Sequence, residues 1–194
     1  MQIIEGNIFT TKMQTIVNTI NCVGVMGAGI AYECKLRYPE MYIEYVKYCK
    51  NGMITPGKLW LYKKTYDGRW ILNFPTKIHW KDNSEPEYLI QGLTKFVATY
   101  KERGIESIAF PLLGANNGGI DPKVSLRIMI EFLEKCDIPI EIYKYNPNCY
   151  DDLLPKLQEK WDNSYFKNQL KKKRIRKTSL ESLNHAIQNE NYKT

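Results

Sequence analysis

The sequence predicts an α/β fold in which helices cover both faces of a largely parallel sheet. Three observations predict it. Short apolar segments typical of strands alternate with longer amphipathic segments typical of helices. Most connections between strands pass through a helix, which favours parallel pairing. Two strands run directly into glycine-rich loops that open onto helices, and both loops fall at the carboxyl ends of strands, where sheets of this class bind ligands.

The first half of the chain has clear local patterns. Residues 2–5 and 15–20 are predicted strands, and residues 28–37 are the first predicted helix. Pro39 is expected to begin a second helix, residues 39–50, because proline suits the first helical turn, and Gly52 follows that helix in the C′ position. Residues 59–62 and 70–74 are predicted to pair across a turn at Asp67 and Gly68.

The second half continues the alternation. Residues 87–103 form the most regular helical pattern, which Gly104 ends. Its apolar face carries Leu89, Leu93, Phe96, Val97 and Tyr100. Residues 105–110 and 140–145 are predicted strands, and residues 122–135 are a predicted helix. After residue 150 we expect a helix over residues 151–161 and a short helix that begins with a capping box of Thr178 and Glu181.

Composition excludes several classes of protein. The 194 residues are 43% apolar, as in a globular protein, and no apolar run reaches the roughly 18–20 residues that a membrane span needs. The N-terminus shows no secretory pattern. The five cysteines are an odd number without paired or metal-ligand spacing, so we expect reduced thiols, no metal and no cofactor, in a cytoplasmic monomer. Cys22 is the cysteine of most interest, because it lies inside a glycine-rich loop.

The positive charge is concentrated towards the C-terminus. The chain has a formal net charge of +7, and residues 156–177 hold nine basic side chains against Glu159 and Asp162. We therefore predict a nearly neutral domain over residues 1–150 and a basic, partly helical extension over residues 151–194. The extension suits nucleic-acid binding, and the alternative is a charged, solubilising end. The expected nucleic-acid contacts are Lys171, Lys172, Lys173, Arg174, Arg176 and Lys177.

The two glycine-rich loops predict a phosphate site. In the first, Gly24, Gly27 and Gly29 lie within six positions, just before or at the start of a helix whose N–H groups attract anions. The second, within residues 109–119, has the same order of strand, loop and helix. One such loop is a weak indication, but two predict a diphosphate held from both sides.

In this order and spacing the two loops resemble those of macrodomains, the ADP-ribose-binding modules. The resemblance covers residues 1–148 and implies a three-layer α/β/α sandwich around a mixed, mostly parallel sheet of about six strands. Within the family the chain resembles the DNA ADP-ribosyl glycohydrolase antitoxins, with the terminal ADP-ribose protein glycohydrolases as a related branch. This finer resemblance rests on GNIFT (6–10), NTINCVGVMGAGIA (18–31) and NFPTKIHW (73–80).

The resemblance implies roles for single residues. Asn7 and Ile8 are expected beside the adenine, and Tyr145 and Asn146 on the same side of the nucleotide. Asn21 is expected at the distal ribose, as a catalytic residue that holds a hydroxyl group. One loop is expected to grip the distal ribose and diphosphate through Gly27, Ala28 and Gly29. The other is expected to hold the diphosphate from the opposite side through Gly114, Ala115, Asn116, Asn117, Gly118, Gly119 and Ile120.

The resemblance implies that Lys77 is the catalytic residue, because it matches the lysine to which the resembling branch assigns the chemistry. The motif discriminates between branches, since most macrodomains lack a lysine at this position. The second loop reads GANNGG, where the resembling branch has a string like GCGLGG. Gly118 stands where protein-directed relatives have a catalytic aspartate, and Asp121 is expected to cap the following helix instead. Lys77 therefore has no expected carboxylate partner, which favours the DNA-directed mechanism.

A lysine can serve the reaction in two ways. Hydrolysis breaks a bond at the anomeric carbon of the distal ribose. A neutral amine can attack that carbon and form a covalent intermediate, whereas an ammonium group can donate a proton to the leaving group. The sequence leaves both roles open.

The sequence thus predicts a hydrolase that removes mono-ADP-ribose from DNA, most specifically from thymidine. Its expected partners are ADP-ribose, ADP-ribosylated DNA and an ADP-ribosyltransferase toxin, with no membrane contact. Three alternatives stay open: removal of ADP-ribose from acidic side chains of proteins, a non-catalytic reader of ADP-ribose, and a nucleic-acid-binding protein that functions through its extension.

Overall fold

The computed structural model describes residues 1–146, 148–149 and 153–162. The chain divides into two units, Met1–Asp151 and Asp152–Thr194. The first unit is built on a six-stranded sheet with strand order β1-β6-β5-β2-β4-β3. The strands are β1 (Gln2–Gly6), β2 (Thr15–Ile20), β3 (Trp60–Tyr62), β4 (Trp70–Pro75), β5 (Ile108–Pro111) and β6 (Ile140–Tyr145).

Pairing in the sheet is parallel except between β3 and β4. The mixed, mostly parallel sheet of six strands is therefore confirmed. The antiparallel pair is the predicted hairpin, and Gly68 in its connection has a φ of 74°, a conformation that glycine adopts without strain. In the centre of the sheet Asn18 lies opposite Asn73, and the Asn18 amide donates to Asn73 Oδ1 at 2.9 Å.

The helices lie in two layers, one on each face of the sheet. The first unit contains α1 (Gly29–Arg37), α2 (Pro39–Lys50), α3 (Pro86–Thr99) and α4 (Pro122–Leu133). Side chains from α3 and α4 pack with Val17, Leu72 and Phe110 in one buried cluster. Side chains from α1 and α2 pack with Ile16 and Ile71 in another. Because neighbouring residues of a strand point to opposite faces, the two clusters lie on opposite sides of the sheet, which confirms the three-layer sandwich.

Most predicted boundaries lie within two residues of the observed ones, and two differ by more: the end of α3 and the start of β5. The regular part of α3 ends at Thr99, and the chain then closes a turn in which Gly104 N–H donates to the Lys101 carbonyl (2.9 Å) and Ile105 N–H to the Tyr100 carbonyl (3.0 Å). These bonds form a Schellman motif with Gly104 at a φ of 73°. Strand β5 accordingly begins at Ile108 and not at residue 105, because the intervening residues complete the turn.

The parallel strands deliver the predicted site residues to one edge of the sheet. Strands β1, β2, β4, β5 and β6 share one direction, so their carboxyl ends meet at that edge. The residues that follow them are Asn7, Asn21, Lys77, the second loop (residues 114–120) and Asn146.

In the second unit the described residues form one helix, α5 (Leu153–Asp162), in place of the predicted 151–161. The basic residues from Lys171 to Lys177 and the capping box at Thr178 lie outside the described residues. No helix in the described part of the chain is long and apolar enough to cross a bilayer.

Candidate functional site

Asn21 is buried at the start of the first loop (residues 21–27), where it shapes the backbone that follows. Its Oδ1 accepts hydrogen bonds from the N–H groups of Val23 (3.1 Å) and Val25 (3.3 Å), and its amide donates to the Val25 carbonyl at 2.5 Å. The hydroxyl of Tyr45, on α2, donates to the Asn21 carbonyl at 2.8 Å. Asn21 therefore holds the first loop together, and its contact with a ribose stays a prediction.

Three exposed small residues lie where the first loop meets α1. Gly27, Ala28 and Gly29 are exposed, and Gly29 has a φ of 56°. Ala28 is the N-cap of α1, one residue before the helix, and offers no side-chain cap. The first N–H groups of a helix have no partner within it, so the positive end of α1 is available to an anion beside these residues. Gly24 also has a positive φ, of 82°, as predicted for a turn residue.

The second loop is a compact turn whose amide groups are largely used internally. The N–H groups that donate to carbonyls within the loop, at 2.9, 3.2 and 3.0 Å, belong to Gly118, Gly119 and Ile120. At the apex, Asn116 and Asn117 are exposed, and Asn116 has a φ of 50°. Asn116 thus adopts the left-handed conformation, which asparagine tolerates better than most residues. Of the seven loop residues predicted to contact ligand, four are buried: Gly114, Ala115, Gly118 and Ile120.

Two buried glycines of the second loop leave no room for a side chain. A Cβ atom on Gly118 would lie 2.6 Å from Ser84 Oγ, and one on Gly114 would lie 2.8 Å from Ile120 Cδ1. Ser84 N–H donates to the Gly118 carbonyl at 2.8 Å, whereas the buried Ser84 hydroxyl has no hydrogen-bond partner among the described residues. Ser84, in the segment before α3, therefore packs against Gly118 and supports the second loop. No motif in the sequence marks Ser84.

Lys77 lies between the two loops. It follows β4, is half-buried, and its Nζ donates to the Asn117 carbonyl at 2.5 Å. A Cβ atom on Gly29 would lie 3.0 Å from the Asn117 side-chain nitrogen, so Asn117 also faces the start of α1. Within the described part of the chain, no carboxylate lies at ion-pairing distance from Lys77.

Cys22 joins the first loop to the Lys77 segment. Its N–H donates to the Ile78 carbonyl at 2.9 Å, and its thiol lies 3.2 Å from the Lys77 carbonyl. Burial, with a smaller contribution from Cys49, raises the pKa of the Cys22 thiol to about 11. The thiol is therefore protonated at neutral pH and acts as a hydrogen-bond donor, not as a nucleophile.

The residues predicted for the adenine side also come together. Gly6 pairs with Tyr145 at the ends of β1 and β6, so Asn7 and Asn146 leave neighbouring strands. Asn7 Oδ1 caps a 3₁₀ turn (Ile8–Thr10) by accepting from Phe9 N–H at 2.9 Å, and Ile8 is buried. Tyr145 is 70% exposed, which excludes core packing as its role.

Two side chains near the site have structural roles. Asp121 accepts from the N–H groups of Lys123 (2.8 Å) and Val124 (3.2 Å), which confirms the predicted cap of α4. His79 Nδ1 accepts from Lys81 N–H at 3.3 Å within a turn. The described residues contain no group of three or more His, Cys, Asp or Glu side chains placed to hold a metal ion.

The chain is similar to several named proteins. It is 39% identical over 150 residues to a DNA ADP-ribosyl glycohydrolase of Thermus aquaticus, an alignment that covers 76% of this chain and 41% of the relative. The structure matches the macrodomain of Mycobacterium tuberculosis DarG with a TM-score of 0.70 and 39% identity, over 73% of this chain and 95% of that one. It matches Thermosipho africanus DarTG in complex with ADP-ribose with a TM-score of 0.69 and 34% identity, over 80% of this chain and 45% of that one.

The chain spans about two fifths of the length of the curated relatives it matches. A family model described as Macro domain matches residues 17–129, which include both glycine loops and Lys77. That match covers more than half of the chain and agrees with the three-layer sandwich and with the structural matches above. This chain belongs to the Macro domain family.

Proposed function

We propose that this chain removes ADP-ribose from a modified base in DNA, with Lys77 as the catalytic residue. The observation that carries the proposal is the position of Lys77 Nζ, which reaches the Asn117 carbonyl between two anion-binding loops. The names of the relatives support the same activity, because proteins about 40% identical to this chain are called DNA ADP-ribosyl glycohydrolases.

The two loops supply a site for the diphosphate. On one side stand the free N–H groups of the first turn of α1, beside the exposed Gly27, Ala28 and Gly29. On the other stands the apex of the second loop, with Asn116 and Asn117. The buried loop residues, Gly114 and Gly118 among them, shape the turn, and the apex contacts the ligand. With the adenine beside Asn7 and Tyr145, the distal ribose extends towards Asn21 and Lys77.

The reaction exchanges one bond at the anomeric carbon. The bond from that carbon to the base breaks, the base takes up a proton, and the hydroxyl of a water molecule ends on the ribose. Lys77 serves either by attacking the carbon as a free amine, in which case water later releases the sugar, or by protonating the departing base. No carboxylate pairs with Lys77 among the described residues. This favours a mechanism in which Lys77 acts without a carboxylate as general base.

The basic extension gives the proposed DNA substrate a second point of contact. Lysine and arginine side chains bind phosphates and release counterions, so the run LKKKRIRK at 170–177 would strengthen binding at low salt. The substrate also implies a partner, because an ADP-ribosyltransferase that acts on DNA must first attach the group that this chain removes.

A direct comparison of substrates tests the proposal. The protein and its Lys77→Ala variant are incubated with an ADP-ribosylated single-stranded oligonucleotide and with a glutamate-linked ADP-ribosylated protein, and free ADP-ribose is measured. We expect release from the oligonucleotide by the parent protein and none by the variant. Release from the protein substrate alone would favour the protein-directed alternative. Tight ADP-ribose binding with no turnover of either substrate would favour a reader.

A further inference from the structure

Beside Lys77 the surface carries an unusual group of exposed apolar side chains. Trp80 and Ile78 are each 49% exposed, and Val23 is 44% exposed. Val23 directly follows Cys22, whose N–H is bonded to the Ile78 carbonyl, so the three side chains belong to adjoining segments. We call these three residues the apolar platform. A half-exposed indole is costly to leave in water, which makes such a group a candidate contact surface.

The backbone under the apolar platform is held at both ends. The Cys22–Ile78 bond of 2.9 Å fixes one end to the first loop, and the Ser84–Gly118 bond of 2.8 Å fixes the other to the second loop. Between them a turn closes with Asp82 N–H donating to the His79 carbonyl at 3.1 Å. The His79 and Trp80 rings lie 5.6 Å apart at an angle of 31°. The indole of Trp80 therefore lies on a segment that is hydrogen-bonded to the first loop at one end and to the second loop at the other.

One ammonium group lies beside the indole. Lys81 Nζ lies 5.3 Å from the centre of the Trp80 ring, and Lys77 precedes the ring by three residues. The acidic side chains of the same connection are Asp82 and Glu85, which lie beyond the indole towards α3. A flat ring with an ammonium group beside it complements a nucleobase with its phosphodiester, because the base has an apolar face and the phosphate a negative charge.

We propose that Trp80 stacks on the unpaired base next to the ADP-ribosylated base of a single-stranded substrate. Ile78 and Val23 extend the apolar contact, and Lys81 lies near the connecting phosphate. The strand must be single, because a base paired and stacked in a duplex has no free face to offer. The inference rests on the proposed function and adds to it the contact that distinguishes a nucleic-acid strand from an isolated nucleoside.

A pair of substrates tests this contact. One is an ADP-ribosylated nucleoside, which has no neighbouring base, and the other is a trinucleotide with the same modified base in the middle. For Trp80→Ala we expect the ratio of kcat/KM for the trinucleotide to that for the nucleoside to fall about tenfold, or about 1.4 kcal/mol. Trp80→Phe keeps a ring and should retain most of the ratio. Tyr66→Ala is the matched control, because Tyr66 is 76% exposed on the connection before β4, at the opposite end of that strand from Lys77.

The outcomes separate this inference from the function on which it rests. An unchanged ratio in Trp80→Ala, or an equal fall in Tyr66→Ala, overturns the stacking contact while the glycohydrolase activity stands. A parent protein that cleaves neither substrate contradicts the proposed function. The contact is then tested by fluorescence anisotropy with a labelled unmodified trinucleotide, where weaker binding by Trp80→Ala than by Tyr66→Ala supports it and equal binding overturns it. A larger effect of Trp80→Ala on an ADP-ribosylated protein substrate overturns the choice of nucleic acid.

Discussion

Lys77 Nζ donates a 2.5 Å hydrogen bond to the backbone carbonyl of Asn117, 40 residues further along the chain. The Asn117 side chain faces Gly29, at the start of α1. The proposed catalytic group therefore lies where the second loop meets the start of α1, the two elements of the proposed phosphate site. Because its partner is a backbone carbonyl and not a side chain, the contact depends on the conformation of the loop more than on the identity of residue 117.

Replacement of Lys77 by alanine is expected to lower kcat on ADP-ribosylated DNA about 100-fold or more, since a positioned proton donor or nucleophile contributes at least that much. Thermal unfolding should change little, because Lys77 is only half-buried. Borohydride added during turnover separates the two roles. Borohydride reduces the imine that a lysine–sugar adduct forms on ring opening, so a covalent sugar on Lys77, detected by mass spectrometry, identifies the lysine as the nucleophile. Turnover without a trapped adduct favours the proton donor. Full activity in Lys77→Ala would refute the assignment.

Asn21→Ala should destabilise the protein by about 1–3 kcal/mol, because it leaves the part-buried N–H groups of Val23 and Val25 without their acceptor. Tyr45→Phe is the matched control. It removes one hydroxyl from the same cluster and should cost about 1 kcal/mol. Urea unfolding and calorimetric titration with ADP-ribose measure both effects. Unchanged stability in Asn21→Ala, together with slower turnover, would show that the side chain serves the ribose and not the loop.

Gly118→Ala is expected to weaken ADP-ribose binding and to destabilise the protein by about 1–3 kcal/mol, because the new Cβ would overlap Ser84 Oγ. Ser84→Ala alone should be close to neutral, since its buried hydroxyl has no partner among the described residues. The double variant should recover part of the lost stability and affinity. If Ser84→Ala restores neither stability nor affinity in the Gly118→Ala background, Ser84 does not support the loop in the way we infer.

Alkylation of Cys22 by iodoacetamide should be slow at neutral pH and should accelerate towards pH 11, where the pKa of this thiol lies. At pH 8 about a thousandth of it would be thiolate. Because the unfolded chain loses this proton near pH 9.0, the group lowers folding stability as the pH rises from about 9 to about 11. Peptide mapping by mass spectrometry gives the rate, with the exposed Cys149 as internal comparator. Rapid modification at pH 7 would contradict the protected thiol.

Deletion of residues 170–177 should raise the apparent KM for an ADP-ribosylated oligonucleotide and leave kcat unchanged. The dependence of binding on salt should also become shallower, because six basic side chains are lost. Fluorescence anisotropy with a labelled oligonucleotide, over a series of salt concentrations, measures this salt dependence. Abolished turnover would instead favour a protein that functions through its extension.

Local patterns along the chain were sufficient for most of the elements. Strand β2, helix α2 and strand β6 have the predicted bounds, because alternation, a proline start and a glycine stop act over a few residues. The two glycine loops, in their order and spacing, were also sufficient to suggest the family and the edge of the sheet at which the candidate site residues lie. These features depend on backbone conformation and burial, which residues close together in the sequence determine.

The contacts that arrange the site required the folded chain. Asn21 meets Tyr45 across 24 residues, Lys77 meets Asn117 across 40, and Cys22 meets the Lys77 carbonyl across 55. Such contacts depend on the strand order, which places β2, β4 and β5 side by side although they are far apart in sequence. Periodicity carries no information about which loops then face one another, so the lysine that the sequence singled out acquired its partners only through tertiary packing.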